Sequence, residues 1–137
     1  MNLSTLTGSE LSTRVAELRG WNRVRPVHGS SEIWWADGER TLMPVSDYRP
    51  DRDVGQAWKL LENGIVHWSS ASLPESSRGK YGVSFSVIIN GGPTYSATAW
   101  SNVYSEAFAR AICEAWVEAT KNEKARETDD EPGRKDE

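Results

Sequence analysis

The side chains able to do chemistry in this chain are few and scattered. Its two histidines, His28 and His67, fall on different elements. A metal site would need the fold to bring both together with carboxylates, and no His-Glu-x-x-His helix supplies one locally. The single cysteine, Cys113, cannot form an internal disulfide. It stands in Ala111-Ile112-Cys113-Glu114-Ala115, a run of small residues that packs, so it reads as a buried inert thiol and not as a nucleophile paired with histidine. Asp51 and Asp53 could pair for general acid–base work, yet after Pro50 they read as helix caps. Gly91-Gly92-Pro93 lacks the lysine and following helix of a phosphate loop. No catalytic constellation results. The chain is expected not to be an enzyme and to use no cofactor or metal.

Binding is the chemistry that remains. Arg23 and Arg25 share one face of an expected strand and could grip an anion. Joined by Trp34, His67 and Tyr95 from neighbouring strands, they would line a pocket for a small molecule, with a nucleotide signal as the ligand to test. The other resource is aromatic. Trp21, Trp34, Trp35, Trp58, Trp68, Trp100 and Trp116 make seven indoles in 137 residues. A buried aromatic removes roughly 150–250 Å² from water, so most of them are expected to fill the core. Any left outside would be interface anchors, a role in which Trp, Tyr and Arg are enriched.

The elements that must position these groups follow from local signals. Thr7-Gly8-Ser9-Glu10 is a capping box, and Leu11, Val15 and Leu18 form the stripe of a first helix that Gly20 stops. Trp21 to Arg25 and Ile33 to Ala36 read as an antiparallel pair around a turn at His28-Gly29-Ser30-Ser31. Glu39 to Arg52 reads as a connection holding at most a brief extended piece. Val54, Trp58 and Leu61 repeat the helical stripe behind a cap at Asp51 or Asp53, and Asn63-Gly64 ends that helix. Ile65 to Ser69 is a third strand, and Ser72 to Lys80 is a hairpin loop. Tyr81 to Asn90 is the strongest strand, with Val83, Phe85, Val87 and Ile89 on one face. Thr94 to Ala99 is a fifth. Ser105 opens a helix whose apolar row, Ala107-Phe108, Ala111-Ile112, Ala115-Trp116, recurs every four residues.

The expected architecture is α/β of the α+β type: a three-layer α-β-α sandwich with a mostly antiparallel central sheet of about five strands and three helices. A helix, a glycine and a strand occur twice, a hint of duplication. Residues 1–120 form the domain. Residues 121–137 hold five positive and seven negative charges and are expected to be a disordered tail. Net charge is −4 overall and −2 without that tail, with no basic stripe, so double-stranded nucleic acid is not an expected partner. No apolar run reaches the roughly 18 residues of a membrane span, and MNLSTLTGSE lacks the charge and apolar core of a signal peptide, so no membrane association is expected.

The capped first helix running into Gly20-Trp21, the strand Ile33-Trp34-Trp35, the connection Tyr48-Arg49-Pro50-Asp51 before Val54, Ala57, Trp58 and Leu61, and the final Ala111-Ile112-Cys113-Glu114-Ala115 together resemble the phage ABA sandwich domain over residues 9–119. The resemblance implies a three-layer sandwich encoded by a phage or prophage, cytoplasmic in a bacterial host. It brings no catalytic residue set. Two functions fit: an interaction module docking on a host or phage protein or on itself, and a small-molecule binder acting against host defence.

Overall fold

The structure, a computed structural model, describes residues 3–26, 31–62, 66–89 and 91–129. Helix α1 (Gly8–Leu18) starts as its capping box dictates. The Thr7 hydroxyl accepts from the Glu10 N–H at 3.1 Å, and the Glu10 carboxylate accepts from the Thr7 N–H at 2.8 Å. Two of the orphan donors at the helix start are thereby satisfied. Past its end Gly20 adopts φ +86°, a left-handed conformation that costs glycine nothing. Leu11 and Val15 are buried and Leu18 half-buried, the stripe expected of them.

Strands β1 (Asn22–Val24), β2 (Trp34–Asp37) and β3 (Arg40–Pro44) form an antiparallel meander in that order. The β1–β2 pair matches expectation, with Arg23 opposite Trp35 and Val24 opposite Trp34. The predicted turn at His28 lies outside the described residues. The brief extended piece of the connection is a full strand, β3, joined to β2 through Gly38 at φ +65°.

Helix α2 (Val54–Trp58) is capped by Asp53, whose carboxylate accepts from the Gln56 N–H at 3.1 Å. It lasts one turn before tightening into a 3-10 turn at Lys59–Leu61. That change of period turns Ala57 and Leu60 inward and leaves Val54 and Trp58 at the surface. The predicted Val54-Trp58-Leu61 stripe is therefore not the buried face.

A second meander follows: β4 (Val66–Leu73), β5 (Tyr81–Ile89) and β6 (Thr94–Ser101). Its registers run unbroken, Ser70 opposite Phe85 and Phe85 opposite Ala97. Val83, Phe85 and Val87 are buried on one face as their alternation predicts. Helix α3 (Tyr104–Asp129) packs on that face, and α1 and α2 pack on α3. The helix continues well beyond residue 120; residues 130–137 lie outside the described residues.

The fold is thus α+β with three helices, but with two three-stranded antiparallel sheets where one sheet of about five strands is expected. The expected covering of the sheet on both faces also fails. The outer face of the second sheet, with His67, Ser69 and Ala71 on β4 and Thr94, Ser96 and Thr98 on β6, is exposed. Five consecutive α3 residues, Ala111 to Glu114 with Ala115, are all buried, because α3 is packed by β5, β6, α1 and α2. The hint of duplication holds at the level of elements, since a helix and a three-stranded meander occur twice before α3.

The core also departs from expectation in its filling. Of the seven tryptophans only Trp35 is fully buried; Trp21, Trp34, Trp100 and Trp116 are half-buried, and Trp58 and Trp68 are exposed. Alanines of α3, valines and Phe85 do most of the filling, because small side chains let the helix approach the sheet and two other helices at once. Among the described residues no helix is long and apolar enough to cross a membrane.

Candidate functional site

The five residues singled out from sequence do not share one place. Arg23, Arg25 and Trp34 belong to the first meander or its end, whereas His67 and Tyr95 lie in the second. Within that second sheet His67 pairs with Ile88 and Tyr95 with Val87, which puts them on opposite faces. Arg23 lies 5.3 Å over the Trp35 ring, with Nη2 3.5 Å from the Thr13 hydroxyl. Trp34 donates its indole N–H to Glu32 at 3.0 Å. The groove touched by Arg23 and the one touched by His67 are separate. Two strands read as neighbours of one sheet are members of two.

What the fold does assemble is aromatic. Trp58 leaves α2 on its outer side and meets the edge of the Trp68 ring, centroids 4.9 Å apart at 73°. Trp68 comes from β4, opposite Val87, and lies nearly parallel to Phe85 at 5.5 Å and 13°. Phe108 on α3 contacts Phe85 at 5.8 Å and Trp58 at 6.0 Å. Tyr104 continues the row to Tyr81, 5.8 Å away and edge-on, and shares a 3.4 Å hydrogen bond with the Ser72 hydroxyl. Trp58, Trp68 and Tyr104 remain 37%, 45% and 44% exposed, with Val54 beside Trp58 on its helix face. The ridge exists because α3 lies over β5 and β6 and stops short of β4. The apolar face of the sheet therefore runs out from under its helix at Trp68.

The sequence placed Trp58 on the apolar stripe of α2 and Trp68 on a strand, among seven indoles most of which were expected in the core. The available signal was the short helix: Val54 and Trp58 repeat at i, i+4, and Ala57 and Leu60 at i, i+3, so two faces compete for burial.

A polar cluster joins the connection before α2 to α1. Asp51, 7% exposed, accepts from the Ser12 hydroxyl at 2.6 Å and from Arg49 Nε and Nη2 at 2.7 and 2.9 Å. Burial pushes its pKa up, but the bonds from Arg49 and Ser12 outweigh burial and hold it below the usual carboxylate range. Of the two aspartates read as caps, Asp53 is the cap, whereas Asp51 ties the connection to α1. Glu114 on α3 is also buried, bound to Arg110 Nε at 2.6 Å, and here burial wins and raises its pKa. Burial likewise pushes the Cys113 thiol well above its ordinary value, the inert state its neighbours suggested. Among the described residues no group of three or more His, Cys, Asp or Glu is placed to hold a metal ion.

Between α1 and the β2–β3 side lies a cleft of about 480 Å³. Trp35 and Tyr48 line it together with Ser9, Thr13, Ser46 and Arg49. Burial raises the Tyr48 hydroxyl pKa, opposed by a 3.1 Å hydrogen bond from Arg19. No family model matches this chain, and neither a curated protein nor a solved structure matches it.

Proposed function

We propose that this chain is a non-catalytic protein-interaction module, an accessory protein of phage or prophage working in the bacterial cytoplasm, that docks through the Trp58–Trp68–Tyr104 ridge onto a host or phage protein or a second copy of itself. The observation that carries this reading is the ridge: exposed indoles in ring-to-ring contact with Phe85 and Phe108, so that they are held rigid at the surface. Rigid aromatic anchors lose little entropy on binding. The solvent-exposed parts of Trp58 and Trp68 amount to about 200 Å², on the order of 5 kcal/mol of gross burial energy at about 25 cal/mol per Å². That is enough for a hot spot and too little for a whole interface. The rest would come from β4, an outer strand with no charged residue, no proline and no break in register, which lacks the usual guards of a sheet edge.

Light scattering of the purified chain, with affinity capture from infected host lysate, tests this when wild type is compared with a Trp58→Ser, Trp68→Ser variant. Wild type should self-associate or retain a discrete partner that the double variant loses while still unfolding in a cooperative thermal transition. Equal behaviour of the two proteins would refute it.

A second reading, a small-molecule binder acting against host defence, has its own observation in the α1 cleft, whose aromatic floor and hydroxyl rim suit a planar polar ligand. Nucleotides and cyclic dinucleotides should then raise the melting temperature of wild type more than that of Thr13→Val. A panel without effect removes this reading.

A further inference from the structure

β4 (Val66–Leu73) is held along one side only: β5 pairs with its whole length, and its other edge has no neighbouring strand. From His67 to Ser72 every residue is exposed, on both faces of the strand. An outer strand this bare is normally guarded by a charge, a proline or a bulge, because its free N–H and C=O groups pair with any strand that reaches them. Val66-His67-Trp68-Ser69-Ser70-Ala71-Ser72-Leu73 has none of these, and Pro74 follows only where the strand ends.

The order of its side chains fits one occupant, β4 of a second copy. Antiparallel strands related by a twofold axis normal to the sheet continue each face of one copy into the same face of the other. With that axis at Ser70, His67 to Leu73 all find partners: Ser70 meets Ser70, Ser69 meets Ala71, Trp68 meets Ser72 and His67 meets Leu73. Small side chains then sit at the centre, where the backbones approach to about 4.7–4.9 Å, and each indole faces a serine that leaves it room. The ridge divides in the same sense. Trp58 and Trp68 touch at one end of β4, and Tyr104 stands at the other with its hydroxyl 3.4 Å from that of Ser72. The axis therefore lays the indole end of each ridge beside the phenol end of the other. Charge also favours a copy. The chain carries a net −4, so two copies meet best on neutral surface, and neither β4 nor the ridge rings include an Asp, Glu, Lys or Arg.

We infer that the partner of the ridge is a second copy of this chain, joined by antiparallel β4–β4 pairing about a twofold axis at Ser70 into one continuous six-stranded sheet. The inference rests on the reading of the ridge as an interface and adds its occupant and register. The exposed parts of Trp58, Trp68, Tyr104 and His67 to Ser72 amount to about 600 Å² per copy, or about 1,200 Å² in total, the low end of specific interfaces. A pairing of that size is reversible, with Kd expected in the micromolar range.

Sedimentation equilibrium of the full chain tests this with charge-swapped variants. Wild type should show a reversible monomer–dimer equilibrium. Ser70→Lys and Ser70→Glu each set like charges face to face at the axis, so each alone should weaken dimerisation about tenfold or more, and an equimolar mixture should restore it. Under mild oxidation Ser70→Cys should cross-link to a dimer faster than Ser69→Cys, whose counterpart lies diagonally across the axis; Cys113 is buried and does not compete. A wild type that stays monomeric at submillimolar concentration, a Ser70→Lys variant that dimerises like wild type, a mixture that restores nothing, or equal cross-linking of the two cysteine variants would overturn the pairing. The ridge reading fails separately. A monomeric wild type that retains a partner lost in Trp58→Ser, Trp68→Ser keeps the ridge and sinks the twofold pairing, whereas dimers that survive the double tryptophan change but not Ser70→Lys keep the strand pairing and sink the ridge.

Discussion

Replacing Asp51 with asparagine should cost about 2–3 kcal/mol at pH 7, and the cost should shrink in acid. The carboxylate accepts three hydrogen bonds, from Ser12 at 2.6 Å and from Arg49 at 2.7 and 2.9 Å. Bonds to a charged acceptor contribute about 1.5–3 kcal/mol each, against several kcal/mol for burying the charge. Asparagine keeps the shape and one acceptor oxygen, but its NH₂ would face a donor, so one bond becomes a repulsive contact and the others fall to neutral strength. Losing one partner of a buried pair usually costs about 3–5 kcal/mol. The Arg49 side chain is 23% exposed and can turn to water, which lowers the figure. Because the folded pKa lies below the unfolded value of about 3.9, the stabilisation is complete above that value and is lost as pH falls through the folded pKa. Urea unfolding followed by tryptophan emission at pH 7, 5 and 3 reads the difference directly, provided the slope with denaturant is unchanged. A gap below about 1 kcal/mol at pH 7, or one that does not narrow at pH 3, would refute the account of Asp51 as a charged tie between α1 and the connection.

Glu114 should behave with the opposite sign. Its folded pKa is raised by burial, so the wild type is favoured over Glu114→Gln below the unfolded carboxyl range and loses that advantage as pH rises through the folded pKa; parallel pH–stability curves for the two proteins would contradict this. Gly82→Ala should destabilise by about 1–3 kcal/mol, since its Cβ would meet the Trp100 ring. In a Trp100→Ala background the same change should cost almost nothing, and additive losses in the thermal melts of the single and double variants would show that the contact is not the cause.

The parts of this fold legible in the sequence are those whose cause is local. The Thr7–Glu10 box, the Gly20 stop, the Asp53 cap and the alternation through Val83, Phe85 and Val87 each need only a few neighbouring residues to specify them. Which strand pairs with which is decided by long-range contacts, and period and turn signals are the same whether β3 ends one sheet or leads into another. That is why Arg23, Arg25 and Trp34 looked like companions of His67 and Tyr95. β3 itself was hidden because Arg40-Thr41-Leu42-Met43-Pro44 lacks alternation and ends in proline, features of an edge strand and of a loop alike. The ridge fails to announce itself for a related reason. Val54 and Trp58 show the spacing of a packed stripe, and spacing fixes that two side chains share a face without fixing which way that face turns. The direction is set by Ala57, small enough to let α2 sit close on α3, and by Leu60, which the 3-10 turn brings round beside it. Gly82 shows the same limit from the other side. A glycine in a strand marks a close approach, but only the β5–β6 register, which sets it opposite Trp100, says what approaches. Trp100 then reaches its position by lying flat on a neighbouring strand, with its N–H turned away from water. The ring thus covers β5 at Gly82 and leaves the outer edge of β6 without a neighbouring strand.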